Sequence, residues 1–342
     1  MNYGLPYMGS KNFLATKIVE LLPRATHLYD LFCGGSAVTH AALLSNKWQV
    51  VHNNDLNAGM VQLFSEAVAG KYHDEKRWID RETFFANCDK DAYIGSVWSF
   101  GNNNNKGYMY SVEITPWKHA YWAAVVWHDL SEFNEMGIYP PSTDRAEVRT
   151  YIRTHHEDCK RLYIAWWLKH GESLDRLQRL DRLQRLESLQ SLQSLESLQC
   201  LQRLQSLQRL QSLQSLESLQ RLQSLQSLQS LESLESTSMS YADVPIAPDS
   251  VIYCDPPYRG TVEYTCGGFD HEAFYDWCCR QTAPVYISEY NMPEDRFVCV
   301  AEFKHVSRLN QKGSTPNIER VFVPRNQYNA KPRQLTLFDF GL

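Results

Sequence analysis

The sequence predicts an α/β fold with a mostly parallel sheet, because short apolar runs alternate with helical patterns and a polar motif follows each run. The first run, residues 27–33, leads through Gly34-Gly35-Ser36 into a helical stretch at residues 37–44. A strand that enters a helix through a glycine turn is the repeating unit of a parallel sheet covered by helices. In such sheets ligands bind beyond the carboxyl ends of the strands, which is where this motif falls.

Two further strand–motif units extend the pattern. Residues 49–51 lead to Asn53-Asn54-Asp55, and residues 248–253 lead into Asp255-Pro256-Pro257-Tyr258. A helix at residues 271–280 and a strand at residues 285–288 follow. We therefore expect all three polar motifs at one edge of the sheet.

The composition narrows the functional classes. A chain of 342 residues with 43% hydrophobic and 21% charged residues is typical of a soluble globular protein, and no apolar stretch approaches the roughly 20 residues that cross a bilayer. The net charge of −5 means that a nucleic acid would have to be bound by a local basic surface. Nine cysteines without a Cys-x-x-Cys pair indicate free thiols in a reducing cytosol. The run His155-His156-Glu157-Asp158 lacks a partner cluster, so we expect no metal site.

An internal repeat occupies residues 173–236. From Leu174 to Leu234 a leucine stands at every third position, followed by Gln, Glu or Asp and then by Ser or Arg, with Cys200 as the one exception. Acidic and basic residues balance in this tract, so the remainder of the chain carries the net charge.

Two local rules disagree on the fold of this tract. Leu, Gln, Glu and Arg favour a helix. A period of three, however, turns each leucine by about 60° around an α-helix, so the leucines never form one face. The stacked short coils of a solenoid accommodate a strict short period better, so we expect a solenoid, with one or more helices as the first alternative and disorder as the second. The tract is also a candidate for self-association, and the sequence leaves the oligomeric state open.

The motif residues have chemistry that suits a ligand site. Gly34 and Gly35 allow a backbone to approach a ligand closely, although a glycine pair is also a common turn. Asp55 stands where an acid accepts hydrogen bonds from ribose hydroxyls, or where it caps a helix. The two prolines after Asp255 remove two backbone donors and stiffen the chain, which leaves a carboxylate and carbonyl acceptors beside the ring of Tyr258. Such a corner suits a planar amine; the alternative is a strand terminator with a surface tyrosine.

In their order along the chain, these motifs resemble those of the Dam-type (D12 class, alpha group) S-adenosylmethionine-dependent DNA adenine N6-methyltransferases. The residues that carry the resemblance are Leu5-Pro6-Tyr7-Met8-Gly9-Ser10-Lys11, Asp30-Leu31-Phe32-Cys33-Gly34-Gly35-Ser36, Asn54-Asp55-Leu56-Asn57, Ser99-Phe100-Gly101-Asn102, Lys106-Gly107-Tyr108, Asp255-Pro256-Pro257-Tyr258, Ile287-Ser288-Glu289-Tyr290-Asn291 and Glu319-Arg320. The repeat tract departs from the pattern of that family.

The resemblance implies a Rossmann-like methyltransferase core with S-adenosylmethionine as cofactor. The reaction would be methyl transfer to the N6 of an adenine flipped out of double-stranded DNA. Asp255 and the carbonyl of Pro256 would accept the two amino hydrogens, Pro257 would complete the stiff corner, and Tyr258 would stack on the base. The implied cofactor-binding residues are Tyr7, Gly9, Lys11, Asp30, Phe32, Gly34, Gly35, Ser36, Asp55 and Asp255.

Two segments are candidates for DNA contact. Asn103, Asn105, Lys106 and Tyr108 belong to a hairpin or loop whose amides and cation suit backbone or base-edge contacts, although an asparagine run is also a common polar turn. Arginines 145, 149 and 153 follow the cap-like Asp144 at a spacing of four residues, which places them on one helix face. A solvated face is the alternative for that helix.

The resemblance also predicts a domain organisation and leaves alternatives. The first part of the catalytic domain would span residues 1–70, the target-recognition region 71–172, the repeat insertion 173–236, the second catalytic part 237–330 and a tail 331–342. A methyltransferase for cytosine N4 or for RNA is one alternative; a non-catalytic repeat scaffold is the other, although both the Gly34 and Asp255 motifs are intact. We expect a cytoplasmic enzyme of a bacterium or a phage, with no membrane partner.

Overall fold

A computed structural model describes residues 2–7, 9–102, 107–183, 214–228, 233–259, 268–305 and 317–328. The chain divides into two compact units: unit 1 comprises Met1–His73 and Arg221–Leu342, and unit 2 comprises Asp74–Gln220. The described helices are α1 (Ala15–Leu21), α2 (Ala37–Ser45), α3 (Ala58–Val68), α4 (Arg81–Asn87), α5 (Ala92–Val97), α6 (Thr115–Trp122), α7 (Ser131–Glu135), α8 (Arg145–Thr154), α9 (His156–Leu183), α10 (Gln214–Ser224) and α11 (His271–Arg280). The described strands are β1 (His27–Asp30), β2 (Val50–Asn54), β3 (Leu234–Thr237), β4 (Ser250–Cys254), β5 (Val285–Glu289), β6 (Phe297–His305) and β7 (Asn317–Pro324).

Unit 1 is built on a sheet with the strand order β3-β2-β1-β4-β5-β7-β6. The pairs from β3 to β5 are parallel, whereas β7 is antiparallel to both β5 and β6. The predicted α/β class with a mostly parallel sheet is therefore confirmed. Helix α11 coincides with the predicted helix at residues 271–280, because Asp270 caps it by accepting from the Ala273 amide at 2.9 Å.

The two faces of this sheet have different environments. One face packs Tyr29, Ile252 and Ile287 against the buried Phe274 and Cys278 of α11 in a continuous apolar cluster. On β1 the next residue, Asp30, points to the other face and contacts α2 through Thr39. Because side chains alternate along a strand, β1 divides its residues between an apolar face and a polar contact with a helix.

Unit 2 is mainly helical and has an aromatic core. Its largest fully buried side chains include Trp98, Trp117, Trp122, Tyr121 and Tyr163. Aspartates cap three of its helices: Asp80 caps α4, Asp91 caps α5 and Asp144 caps α8. The cap and the α8 helix agree with the sequence prediction at residues 144–153. One isolated antiparallel bridge joins Ser99 to Tyr108.

The described parts of the repeat tract form helices and a strand. Helix α9 continues to Leu183, and α10 with a 3₁₀ turn covers residues 214–228. Strand β3 pairs in parallel with β2. It extends across the domain limit that we predicted between residues 236 and 237. Residues 184–213 and 229–232 lie outside the described residues. Over the described part, the favoured solenoid gives way to the helical alternative, because helix propensity outweighs the cost of a leucine stripe that winds around the helix.

The leucines of α10 share one apolar stripe. Leu216, Leu219 and Leu222 are buried, and Ser215 Oγ lies 2.6 Å from the Tyr110 hydroxyl. Leu225 and Leu228 of the following 3₁₀ turn are also buried. Three leucines at a period of three turn by only about 120°, so this helix of eleven residues keeps them on one side. The other domain limits that we predicted remain a proposal.

Candidate active site

The candidate site lies where β1 and β4 end side by side. Asp30 is in register with Tyr253, and the Leu31 amide donates to the Tyr253 carbonyl at 3.1 Å. The glycine turn after β1 and the Asp255 corner after β4 therefore leave the same edge of the sheet. From β1 the sheet continues through β2 on one side and β4 on the other, and a crevice for ligands forms at such a reversal.

Backbone contacts fix the glycine turn. Gly34 has a φ of +47° and its amide donates to Asp55 Oδ2 at 2.8 Å. The Gly35 carbonyl accepts from the Leu5 amide at 2.7 Å, and a Cβ added to Gly35 would lie 2.7 Å from the Cβ of Tyr7. The structure thus brings Tyr7, both glycines and Asp55 together at the end of β1. Gly9 is exposed and has a φ of +80°.

Asp55 has acceptor capacity left for a ligand. Its Oδ2 accepts from Gly34, and its Oδ1 accepts from the Asn57 amide at 2.9 Å. A carboxylate has about four lone-pair positions, so both oxygens can still accept hydroxyl donors. Burial raises the pKa of Asp55, while the two amide hydrogen bonds oppose that rise. The cap of α3 is Asn57 rather than Asp55.

Three predicted cofactor residues have packing roles in the structure. Asp30 is 1% exposed, and its Oδ2 accepts from the amide and the hydroxyl of Thr39, so it fastens α2 to β1. Ser36 is fully buried and lies 3.4 Å from the amide of Asn53. Phe32 packs against the aromatic rings of Tyr241, Phe269 and Phe274. The side chains of Asp30 and Ser36 point into the interior, and the prediction that these residues bind the cofactor stays a prediction.

The Asp255 corner carries a buried ionic cluster. Lys11 Nζ lies 2.9 Å from Asp255 Oδ1 and 3.2 Å from Glu319 Oε1, and 4.7 Å from the centre of the Tyr258 ring. The Tyr258 hydroxyl donates to Glu319 Oε1. Lys11 precedes α1 and Glu319 lies on β7, so the sheet brings together residues from both ends of the chain. Pro256 is buried and Pro257 is half-buried, in the extended segment that follows β4.

Burial and neighbouring charges shift the protonation of this cluster. Burial raises the pKa of Asp255 to about 6; the Lys11 charge opposes that rise and the Glu319 charge adds to it. Burial also disfavours the charge of Lys11, but the two carboxylates outweigh it and raise the pKa of Lys11. Burial raises the pKa of Tyr258, which keeps its hydroxyl protonated as a donor.

A further carboxylate fixes the chain next to Tyr258. Glu289 is 2% exposed and ends β5; its oxygens accept from the Arg259 amide at 3.1 Å and the Tyr290 amide at 2.7 Å. Burial raises the pKa of Glu289 to about 7. The Tyr290 ring meets the Tyr258 ring edge to face at 4.7 Å. The sequence analysis gave no role to Glu289 or Glu319; the signal for both was their place in two of the motifs that carry the family resemblance.

The residues present fit a cationic cofactor. Burial raises the pKa of Asp30 to about 7, and the charges of Asp255 and Asp55 add to that rise. Asp30 and Glu289 are buried and Asp255 is half-buried, and the ionised forms of all three carboxyls are unfavourable at this edge of the sheet. A cation bound there would stabilise their ionised forms. A sulfonium group supplies such a charge, and Asp55 supplies acceptors for sugar hydroxyls.

The DNA-binding candidates of unit 2 divide into three groups. Asn103, Asn105 and Lys106 lie outside the described residues. Tyr108 is 6% exposed and its hydroxyl donates to the Ile79 carbonyl at 2.7 Å, so it supports the loop from inside, and its contact with DNA stays a prediction. On α8, Arg149 and Arg153 are exposed, whereas Arg145 is half-buried and donates to Gln220.

The described residues contain no cluster of three or more His, Cys, Asp or Glu side chains that could hold a metal ion. No helix in the described ranges is both long enough and apolar enough to cross a membrane.

Comparison with known proteins identifies the first part of the chain. Residues 7–151 match the family model of the D12 class N6 adenine-specific DNA methyltransferases. No curated protein matches the chain. Asp255, Tyr258 and Glu319 lie outside the matched residues.

Proposed function

The chain carries a D12 class N6 adenine-specific DNA methyltransferase domain and is an enzyme that methylates adenine in DNA; from this premise we propose how its residues perform the reaction. The methyl donor is S-adenosylmethionine, and the acceptor is the N6 of an adenine flipped out of a specific sequence in double-stranded DNA. The observation that carries this proposal is that the Asp255 carboxylate and the Tyr258 ring both contact Lys11, at 2.9 Å and 4.7 Å, at the strand end next to the glycine turn.

Asp255 and Pro256 act on the amino group of the target. The N6 lone pair is delocalised into the purine ring, so adenine is a poor nucleophile. The Asp255 carboxylate and the Pro256 carbonyl each accept one amino hydrogen, which draws the nitrogen toward a tetrahedral geometry and orients its lone pair. Tyr258 stacks on the extruded base, and its hydroxyl is held by Glu319. Catalysis is therefore mainly positioning and electrostatic stabilisation, with no covalent enzyme intermediate.

The chain provides a binding surface for the cofactor, which supplies an electrophilic methyl group on a sulfonium when bound. Asp55 accepts from the ribose hydroxyls while Gly34 and Asn57 hold its orientation. Tyr7 closes the side of the glycine turn. The buried carboxyls at the strand ends favour a cationic ligand, and Asp30 contributes to this field from inside the protein.

The exposed arginines of α8 contact DNA phosphates in this proposal. Replacing Arg149 with alanine is expected to weaken DNA binding and to lower the slope of log K against log salt by about one. The matched control is Arg161→Ala on α9, an exposed arginine that pairs with Asp158 at 3.1 Å. Equal salt slopes for the two variants and the unchanged protein would show that Arg149 does not contact DNA phosphates.

Sequencing that detects methylated bases tests the function directly. DNA from cells that express the unchanged chain should carry N6-methyladenine in one sequence context, and DNA from cells that express Asp255→Ala should lose the mark. Asp295→Ala, a change at an exposed aspartate, is the control that should retain it. A mark that persists in Asp255→Ala would contradict the assigned role of Asp255, and a mark on cytosine N4 would contradict the acceptor.

A further inference from the structure

Lys11 contacts the two groups that the proposed function assigns to the target base, the Asp255 carboxylate and the Tyr258 ring. Its ammonium lies 2.9 Å from Asp255 Oδ1 and 4.7 Å from the centre of the Tyr258 ring. An ammonium and an amino group are both N–H donors that compete for the same carboxylate. A cation over an aromatic face likewise takes the place of a stacked ring. While Lys11 remains there, the position beside Asp255 Oδ1 and over the Tyr258 ring is therefore not free for the adenine.

Glu319 offers Lys11 a second carboxylate at the same position. Glu319 Oε1 lies 3.2 Å from Lys11 Nζ, and its side chain is 10% exposed. A buried ammonium without a carboxylate partner is strongly unfavourable, so Lys11 can leave Asp255 only if another anion holds it. Glu319 also accepts from the Tyr258 hydroxyl, so it holds both the cation and the ring beside Asp255.

We propose that Lys11 blocks the target-base position reversibly. It pairs with Asp255 in the free enzyme and is held by Glu319 when the target amino group enters. Glu319 is the positioning residue of this exchange, because it retains Lys11 within the site. The inference rests on the proposed function for the identity of the entering group. The ion-pair network itself is independent of that function and can be measured without DNA.

Lys11 and Glu319 act on the titration of Asp255 in opposite directions. The Lys11 charge lowers the pKa of Asp255 and the Glu319 charge raises it. Other groups facing Asp255 are unchanged in the variants below; they are Asp30, Tyr253, Cys254, Tyr258, Glu289 and Tyr290. Single changes at Lys11 and Glu319 therefore separate their contributions.

The first experiment titrates the Asp255 carboxyl by NMR in the full chain without ligands. Lys11→Met is expected to move the Asp255 midpoint upward by about one to three pH units, the range that an adjacent opposite charge produces. Glu319→Gln is expected to move it downward. Midpoints that move in the same direction, or that do not move, would overturn the network. If Lys11→Met does not fold, Glu319→Gln and the charge-retaining Glu319→Asp decide between these outcomes.

The second experiment follows base extrusion with 2-aminopurine at the position next to the target adenine, so that the target keeps its N6 amino group, in the sequence that carries the methyl mark. At alkaline pH, Lys11→Met should raise the extruded fraction severalfold because the competitor is gone. Glu319→Gln should lower it because Lys11 stays on Asp255, and Glu319→Asp should restore it in part. If both variants lower the extruded fraction, Lys11 does not block the target base. If the unchanged chain leaves no methyl mark, the proposed function is contradicted instead, and the titration remains the test of the ion-pair network.

Discussion

The ends of β1 and β4 are neighbours in the sheet, yet different forces hold them. The turn after β1 is fixed by backbone hydrogen bonds from Gly34 and to Gly35, and by the close approach of Tyr7. The corner after β4 is fixed by the ion pairs of Lys11 with Asp255 and Glu319. The donors at the β1 end are main-chain amides whose positions the turn fixes, whereas the donor at the β4 end is the ammonium of a long side chain between two carboxylates. The first end is therefore suited to hold a ligand of constant shape, and the second to exchange partners.

The largest expected effect comes from Asp255→Asn, which removes the charge at the β4 end and leaves its shape. We expect the turnover number to fall about 100- to 1,000-fold, the range for loss of one stabilising electrostatic contact in a transition state. Single-turnover methylation assays with tritiated donor measure the rate, with Asp295→Asn as the surface control. A decrease below tenfold would mean that the β4 end is not the reacting corner.

The buried carboxyl of Asp30, at the β1 end, should make the unfolding free energy depend on pH. The pKa of Asp30 is raised from 3.8 to about 7, so the folded state holds its proton more tightly than the unfolded state does. The stabilisation is complete below pH 3.8 and is lost as the pH rises to about 7, by on the order of a few kcal/mol.

Asp30→Asn should remove most of this loss, which would flatten the unfolding free energy across that pH window. Urea titrations at several pH values measure it, and Asp243→Asn at an exposed position is the comparison. An unchanged pH slope would show that Asp30 is not protonated within the fold.

The packing of the glycine turn is the third target. An alanine at Gly35 would place its Cβ 2.7 Å from the Cβ of Tyr7 and 3.1 Å from the Leu5 carbonyl. Such overpacking costs typically about 1–3 kcal/mol of unfolding free energy, and cofactor affinity should fall with it. Gly268→Ala is the matched control, because its Cβ would meet nothing within 4 Å. Equal unfolding free energies of the two variants would show that Tyr7 moves aside without loss of stability.

The smallest expected effect is a loss of activity at acidic pH, when Asp255 at the β4 end becomes protonated. The pKa of Asp255 is raised to about 6, and the reaction requires the ionised carboxylate. The single-turnover rate should therefore fall as the pH decreases through about 6, by roughly tenfold for each further pH unit. A rate that stays level from pH 7 to pH 5 would contradict the required ionisation of Asp255.

The sequence located the elements better than it located side-chain directions. The strand, turn and helix units emerged from periodicity, and His271–Arg280 coincides with its prediction. Asp30, Ser36 and Tyr108 were read as ligand or DNA contacts and are buried. A motif at the end of a strand fixes which edge a residue occupies, but the face that its side chain takes depends on which helix covers that strand.

The repeat shows the same limit in another form. Its spacing argued for stacked coils, whereas residues 214–224 are helical and the three leucines of α10 are buried. A period of three winds around a long helix, but over these eleven residues it turns by only about 120°. A short helix can therefore bury Leu216, Leu219 and Leu222 along one stripe.

The amino-acid sequence by itself determined the α/β class, the order of the motifs and the placement of Asp55, Gly34 and Asp255 at strand ends, because periodicity and turn chemistry act over a few neighbouring residues. Only the tertiary structure decided that Glu319 meets Lys11 and that Asp30 lies inside. Those contacts depend on the order of strands in the sheet, which joins positions hundreds of residues apart and sets how deeply each charge is buried.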